Sequence, residues 1–501
     1  MTVQIAGPDP VHYTPPALAK KNDHWGISMR FSKPALVLGS LVGGVFLLAQ
    51  SGVGQQGAGQ PAVQPPPQPT SQSADQPAPA VDATLPAATE AAPGPMSPGE
   101  YLARLGNCVA CHSVAGGQPF AGGLKMAVPS VGYIYTTNIT PDPETGIGNY
   151  TFEDFDTAMR TGKVKSGQRM YPAMPYPSYA KMTAEDMHAL YDYFMKEVAP
   201  VKQANLENET SGILSARWLM AIWNLFFLDD DPYEQVAEQS ASWNRGAYLT
   251  EGLGHCGACH TPRGMLFQEK GMDSDDSDFL SGAPLDHWSA PALNGDINSG
   301  LGRWTEGEVV EFMKTGKNKY GTAFGTMVEV INNSTQHMTD ADLQGMAAYL
   351  KSLPASEEKN ATAWAYDGAA TTELEAFNFE RRGSQPYYEY CASCHGYDGG
   401  GRGKLIPPLA GNPVILDPRP DSLINLTLNG SLRIVAQGHP ETFDMPYLRH
   451  LMSDEQVADA VTFMRTAWGN GAKPVSIEDV AKIRTATNPV GNDDVVVLRM
   501  K

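Results

Sequence analysis

The residues most able to do chemistry are six cysteines and the histidines that follow them. They form three copies of a Cys-x-x-Cys-His pattern, and the chain has no other cysteine. Two thiols separated by two residues can form thioethers to the two vinyl groups of one haem, and the adjoining histidine can then bind its iron. The sequence therefore predicts three covalent haem c sites, formed by Cys108, Cys111 and His112, by Cys256, Cys259 and His260, and by Cys391, Cys394 and His395.

Other uses of a Cys-x-x-Cys pattern fit this chain less well. A zinc ribbon pairs one such motif with a second one nearby, and it needs no histidine directly after it. Here successive copies lie 148 and 135 residues apart. A thioredoxin-like redox motif is the other alternative. It does not explain why all six cysteines fall in motifs that end in histidine.

A methionine thioether opposite the histidine raises a haem's potential and is a common second ligand of the iron. Each motif is followed, 50 to 67 residues after its histidine, by a methionine on a loop bounded by proline or glycine: Met174, Met327 and Met445. The position within the repeat supports this choice. Because methionine is also ordinary core filler, three nearby residues remain rivals: Met170, Met182 and Met452.

The elements that must position these residues form a repeat. In each copy a helix runs into the motif, a second helix follows, then comes the methionine loop, and a last helix closes the unit. Many of the helix starts are marked by Ser or Thr with Glu, Asp or Gln three residues later, as at Ser97, Thr151, Thr183, Thr305, Thr339 and Ser453. The prediction is a mainly α fold with three haem-binding domains in series, at residues 97–200, 236–356 and 357–470.

The first 96 residues have a different composition. Residues 1–33 are polar and carry positive charges, residues 34–53 are apolar, and residues 54–96 are rich in Pro, Ala and Gln. This pattern predicts a cytoplasmic lead, a membrane anchor and a disordered linker, with the haem domains on the periplasmic side. A cleaved secretory signal, with Ala49-Gln50-Ser51 as its cleavage site, is the alternative.

Two segments beside the domains need separate interpretations. Residues 201–235 join the first two domains and contain an apolar, aromatic stretch at 213–228 that is too short to span a membrane. It is either a helix lying at the membrane surface or against a quinone, or a helix packed between the two domains. The tail, 471–501, has one amphipathic segment and then polar coil. It either docks on a partner or is disordered.

Charged and titratable residues add some limits. The net charge of −19 argues against a nucleic-acid partner. His255 directly precedes the second motif, where we expect it at the haem edge or in solvent, with iron ligation as a minor alternative. Arg263 follows the same motif, and it either pairs with a haem propionate or is an exposed surface residue.

The motifs and their neighbours together resemble a known family. Filler residues match as well as the cysteines and histidines, in segments 171–177 (YPAMPYP), 243–249 (WNRGAYL) and 252–264 (GLGHCGACHTPRG). Over residues 97–470 the chain resembles the tri-haem cytochrome c subunits of periplasmic membrane-bound dehydrogenases. That group serves the oxidation of alcohols, aldehydes, gluconate, sorbitol and fructose. Its repeated units look like class I cytochrome c domains.

The resemblance implies an electron-transfer subunit with no substrate catalysis of its own. It would take electrons from a large catalytic subunit carrying molybdenum, pyrroloquinoline quinone or flavin, usually with a small subunit as well. Three haems with His and Met ligands would pass them to ubiquinone at the bacterial inner membrane. The long N-terminal lead departs from the family's usual cleaved signal, and it favours the molybdenum aldehyde dehydrogenase branch over the alcohol branch. Two alternatives stay open: a haem enzyme with one open iron site, and a subunit or electron donor of a terminal oxidase.

Overall fold

The computed structural model describes residues 96–128, 131–285, 287–356, 361–431, 434–436 and 443–488. The predicted lead, the predicted membrane segment and all but the last residue of the predicted linker lie outside these ranges. Among the described residues, no helix is both long enough and apolar enough to cross a bilayer. All of the described residues fall within one compact unit.

The first module combines helices with a small antiparallel sheet. Its helices are α1 (Pro98–Leu105), α2 (Cys108–Cys111), α3 (Phe152–Thr161), α4 (Tyr176–Tyr179) and α5 (Ala184–Lys196). The sheet has the order β1 (Lys125–Val128), β2 (Gly132–Tyr135) and β3 (Glu209–Thr210). In the connecting segment, a 3-10 turn at Ile213–Ser215 precedes α6 (Leu219–Phe227).

The second and third modules repeat the helical pattern. The second contains α7 (Ala241–Glu251), α8 (Gly257–His260), the hairpin of β4 (Ala283–Leu285) and β5 (Trp288–Ala290), α9 (Glu306–Thr315), α10 (Met327–Asn333), a 3-10 turn at Thr335–His337 and α11 (Asp340–Ser352). The third contains α12 (Ala369–Glu375), α13 (Ser384–Tyr390), α14 (Ala392–His395), α15 (Pro413–Leu416), α16 (Asp421–Asn429) and α17 (Asp454–Thr466), followed by α18 (Ile477–Ala486). The mainly α prediction is confirmed, with a few short strands added.

The helix starts follow the predicted capping signals. Thr151 and Thr305 form full capping boxes with the residues three positions on, and both helices end at a glycine in the left-handed conformation. Ser97 completes only half of the predicted box. Its hydroxyl accepts from the Glu100 backbone N–H. The Glu100 carboxylate instead accepts from Arg104, one turn further along the helix.

In every module the helix before the motif crosses the last helix of the repeat at a glycine. These pairs are α1 with α5, α7 with α11 and α13 with α17. A Cβ added at Gly99, Gly246 or Gly383 would overlap a backbone carbonyl oxygen of the partner helix. The missing side chain lets the two backbones approach closely, and this contact fixes the helix that leads into each motif.

The hydrophobic cores do not follow the three predicted domains. One cluster of buried side chains runs through both the first and the second module, and a separate cluster fills the third. A small third cluster places Ile434 of the last module against Val328 and Ile331 of the second. Modules one and two therefore share a core, and the third module is attached to them.

The tail segment belongs to the third module. The amphipathic stretch predicted there forms α18, which packs on α16 and α17 and buries Val480 and Ile483. Arg449 donates to the carbonyl oxygens of Arg484 and Thr487 at the end of that helix. Docking of α18 on its own module, rather than on another subunit, accounts for its apolar face.

Helix α6 has one anchored face and one exposed face. Trp223 is buried and donates from its indole to the Leu266 carbonyl at 2.9 Å. Leu225 and Phe226 are 74% and 65% exposed. The interpretation as a helix buried between two modules is therefore wrong for this outer face, while the anchored face does rest on the protein.

Candidate functional site

The three Cys-x-x-Cys-His motifs each form a single helical turn, directly after α1, α7 and α13. All six cysteines lie in the described residues, and no disulfide joins any of them. Burial raises the pKa of the first thiol of each motif to about 12. The first thiol of each motif therefore stays protonated at neutral pH. Because each motif forms one helical turn, its two thiols lie on the same side of the backbone.

Each motif histidine is oriented by a hydrogen bond from its Nδ1 atom. The partners are backbone carbonyl oxygens, at 2.7 Å for His112 and Thr137, 2.7 Å for His260 and Pro291, and 3.1 Å for His395 and Pro407. A carbonyl oxygen only accepts, so Nδ1 carries the hydrogen and Nε2 keeps its lone pair. Metal-binding histidines are typically held in this way by an acceptor behind the ring.

The chemistry of this donor set fits a covalent haem. Each module offers two thiols within one motif and an imidazole ring whose Nδ1 hydrogen is held by a backbone carbonyl. Burial lowers the pKa of His260 and His395, which keeps both rings in the neutral form that a metal requires. The residues found by their spacing in the sequence are thus brought together in all three modules.

The predicted methionine ligands lie on partly buried loop or helix-start positions. Met174 falls between α3 and α4, and Met327 opens α10. The Met445 N–H donates to the Ser431 hydroxyl, and the Ser431 N–H donates to the Met445 carbonyl. Of the rivals, Met182 and Met452 are almost fully buried in the hydrophobic cores, while Met170 is partly buried. The two buried methionines act as core residues. Iron ligation by Met174, Met327 and Met445 stays a prediction.

Modules one and two meet through two matching sets of hydrogen bonds. The Tyr101 hydroxyl donates to Asp342 at 2.6 Å and accepts from the Thr339 N–H at 3.2 Å. In the reverse direction, the Tyr248 hydroxyl donates to Asp186 at 2.6 Å and accepts from the Thr183 N–H at 3.2 Å. The two modules therefore contact each other through an approximate two-fold relation.

Arg245 lies between the two sets. Its guanidinium bonds to Asp342 at 2.9 and 3.2 Å and lies 3.9 Å from Asp186. Sequence reasoning missed this junction. The signal was the acidic residue three positions after each Thr cap, which was assigned to helix capping alone.

The same junction brings the first two motifs close together. Asn107 and His255, which directly precede their motifs, both adopt the left-handed conformation. His255 Nε2 lies 3.2 Å from the Gly106 carbonyl oxygen, two residues before Cys108. Burial lowers the pKa of His255. His255 is half-buried, and its ring links the two attachment turns instead of standing free in solvent.

Beside the second motif lies an ion pair that the sequence did not suggest, between the half-exposed Arg263 and the buried Glu269. Arg263 bonds to the Ala258 carbonyl within the motif at 2.6 Å, and its Nη1 lies 3.4 Å from Glu269 Oε1. Glu269 Oε2 is buried without a hydrogen-bond partner among the described residues, and burial raises the pKa of this carboxyl to about 7. Arg263 is thus engaged at the motif turn rather than free on the surface.

Comparisons with known proteins agree with this geometry. The cytochrome c family profile matches residues 96–196, 245–354 and 380–468. The chain is 47% identical over 412 residues to the gluconate 2-dehydrogenase cytochrome c subunit of Pantoea cypripedii, which covers 80% of this chain and 93% of that protein. It is 46% identical over 402 residues to the cytochrome c subunit of alcohol dehydrogenase (quinone) from Komagataeibacter europaeus, covering 79% and 85%. It is 35% identical over 413 residues to the fructose dehydrogenase cytochrome subunit of Gluconobacter japonicus, covering 79% and 84%.

Each stretch matched by the family profile contains one complete motif with its oriented histidine. The likeness to these relatives extends over most of both chains, beyond the motifs alone. The chain therefore belongs to the cytochrome c family, in the group of cytochrome c subunits of dehydrogenases, and the resemblance inferred from its sequence segments is confirmed.

Proposed function

We propose that this chain is the electron-transfer subunit of a membrane-bound dehydrogenase complex and carries three covalent haem c groups. The observation that carries the proposal is the repeated Nδ1–carbonyl bond, which orients the rings of His112, His260 and His395 and places the ring hydrogen on Nδ1. The relatives are named as the cytochrome subunits of gluconate, alcohol and fructose dehydrogenases. A catalytic subunit would supply the electrons, and ubiquinone would receive them.

Bound haem supplies an iron that accepts and releases one electron at a time. The cysteines of the three motifs would hold haem by thioethers, and His112, His260 and His395, together with Met174, Met327 and Met445, would bind the iron. With a histidine and a methionine bound to it, no iron would be open to a substrate. The chain then moves electrons without catalysing a substrate reaction itself.

The ligand assignment is tested by replacing each methionine with leucine in the full-length, haem-loaded protein. Met174→Leu, Met327→Leu and Met445→Leu should each lower the midpoint potential of one haem and remove its sulfur-to-iron charge-transfer band, since methionine ligation raises the potential. Met182→Leu is the matched control, because that side chain lies in the core, and the swap nearly conserves volume. A ligand variant with unchanged spectrum and potential would show that its iron has another ligand or an open site.

The partner is tested by purifying the native complex in detergent and identifying each subunit and cofactor by mass spectrometry. In the family that the chain resembles, molybdenum indicates aldehydes, pyrroloquinoline quinone indicates alcohols, and flavin indicates sugars and sugar acids. We also propose that the complex lies in the bacterial inner membrane with its haems on the periplasmic side. Purification with a copper and haem oxidase, and with no dehydrogenase, would refute the dehydrogenase assignment.

A further inference from the structure

The first and second attachment turns, which are the helical turns formed by the motifs, meet where each of them begins. Gly106 lies two residues before Cys108, and Leu253 lies three residues before Cys256. A Cβ added at Gly106 would lie 2.9 Å from Cδ1 of Leu253 and 3.5 Å from Sγ of Cys108. Leu253 is fully buried. The two modules therefore meet within one side-chain contact of a cysteine that would hold haem.

His255 adds a directed bond to this contact. Its Nε2 lies 3.2 Å from the Gly106 carbonyl oxygen. Because a carbonyl oxygen only accepts, Nε2 carries the hydrogen and donates it. The His255 ring also meets the ring of Tyr179 edge to face, with the two centroids 5.8 Å apart. A hydrogen bond and a ring contact together hold this imidazole against module one.

Module two satisfies the end of α1 a second time. The Ser334 hydroxyl donates to the Leu105 carbonyl at 2.9 Å, beside the bond from His255 to the Gly106 carbonyl. The last carbonyl groups of a helix have no partner within that helix. Here the other module supplies partners, and α10, which begins at Met327, also contacts α2. The first attachment turn is therefore held by the second module as well as by its own.

The residue directly before the motif differs between the modules. Asn107 takes this place in module one, where its side-chain oxygen is buried with no hydrogen-bond partner among the described residues. Tyr390 takes it in module three and donates to the Leu451 carbonyl of the same module at 3.5 Å. Asn107 and His255 share the left-handed backbone conformation. The link between modules one and two is thus carried by the His255 side chain and not by the backbone shape that it shares with Asn107.

We propose that His255 is a positioning residue that fixes the spacing of the first two attachment turns, so that the haems they would carry form one interacting pair. The inference rests on the proposed function, in which both turns carry haem c. Oxidation of one iron adds a positive charge, which raises the potential of the other iron. This interaction weakens as the separation grows. In an exchange within the pair, one electron leaves a ferrous iron and reduces a ferric one, so no further oxidant or reductant is needed.

The test compares variants of the full-length, haem-loaded chain in detergent. His255→Asn keeps a residue that tolerates the left-handed conformation, as Asn107 does, but its shorter amide cannot reach the position of Nε2. His255→Gln restores a donor at about the reach of Nε2 and is the rescue variant. His188→Asn is the matched control, because His188 is exposed on α5 and its ring stacks on Phe152 of its own module.

The spacing is measured by pulsed EPR on the fully oxidised protein, which reports the distances between low-spin ferric haems. The wild type and His188→Asn should give the same narrow distribution for the shortest distance. His255→Asn should broaden that distribution, and His255→Gln should narrow it again. An unchanged shortest distance and width in His255→Asn would overturn the role assigned to His255.

The interaction is measured separately by an optical redox titration, fitted for the shift in one haem's potential on oxidation of another. This shift should be smaller in His255→Asn than in the wild type, partly restored in His255→Gln and unchanged in His188→Asn. A merely structural role for His255 would lower stability without this pattern of loss and rescue. A wild-type shift in His255→Asn would contradict the proposal.

Ser334→Ala keeps the proposal testable if His255→Asn does not fold. It removes the other bond to the end of α1 without changing a motif or its neighbours, and it should broaden the same shortest distance. An unchanged distribution would refute the bracing of the first turn by module two. Mass spectrometry first counts the haems in every sample. Fewer than three in the wild type would refute the proposed function, whereas three haems with unchanged spacing in the variants would refute only this inference.

Discussion

Replacing Gly246 with alanine tests how closely the first and last helices of the second module must pack. A Cβ at this position would overlap the carbonyl oxygen of Gly345 on α11, and both sides of the contact are backbone. Alanine is better than glycine within a helix by about 1 kcal/mol, whereas overpacking a tight core costs about 1–3 kcal/mol. Because the backbone cannot rotate away, we expect the overpacking cost to lie in the upper part of its range. After the gain in helix propensity, Gly246→Ala should lower the free energy of unfolding by about 1–2 kcal/mol.

Gly307→Ala provides the matched control. Gly307 lies in α9, and nothing lies within 4 Å of its added Cβ. Gly307→Ala should raise the free energy of unfolding by about 0.5–1 kcal/mol through helix propensity alone. Guanidinium unfolding of the haem-loaded protein, followed by far-UV circular dichroism, gives the free energy of unfolding of each variant. The two values are compared at the same dependence on guanidinium concentration. If Gly246→Ala were as stable as Gly307→Ala, the close crossing of α7 and α11 would be wrong.

Further predictions concern the buried carboxylate and the module junction. Burial raises the pKa of Glu251 from 4.5 to about 7. Its contribution to the free energy of unfolding is therefore full below pH 4.5 and is lost as the pH rises through 7. That loss is about 3 kcal/mol. Glu251→Gln should flatten the pH dependence of the unfolding free energy over this range, and an unchanged slope would contradict it. Tyr101→Phe should cost about 1–2 kcal/mol and Tyr248→Phe somewhat more, because Asp342, the partner of Tyr101, keeps its bonds to Arg245. Urea midpoints of the two variants rank them, and the reverse order would refute this account of the junction.

Local signals in the sequence determine much of the helical pattern. Thr151 and Thr305 cap their helices because a hydroxyl three residues before an acidic side chain satisfies the first free N–H groups. The motif spacing likewise places two thiols and a histidine on one turn, whatever surrounds them. Such features need only neighbouring residues, and the caps at Thr151 and Thr305 were predicted correctly.

Long-range contacts could not be predicted in the same way. The carbonyl groups that orient the histidines belong to Thr137, Pro291 and Pro407, which lie 12 to 31 residues from their histidines. Any residue type can offer a backbone carbonyl, so the sequence carries no signal for these partners. The shared core of modules one and two was missed for a related reason. Tyr101 and Tyr248 lie in predicted domains 97–200 and 236–356, although each bonds to the other module.

The exposed face of α6 shows where residue composition misleads. A stretch of nine residues with so many apolar and aromatic side chains fits a buried helix and a surface-binding helix equally well. The deciding contacts come from Trp223, which anchors one face to a loop 43 residues away. Composition alone could not separate the two interpretations. The loop position settles which side chains are left exposed.

The second module is held from both sides, and this explains how its histidine can be kept in place. On one side, His255 contacts Gly106 of the first module. On the other, Ser422 of the third module bonds to both the N–H and the carbonyl of Ser289 in β5. That strand leads directly to Pro291, whose carbonyl orients His260. The central attachment site is thus braced by both neighbours, so its position depends on the whole assembly of modules rather than on its own helices.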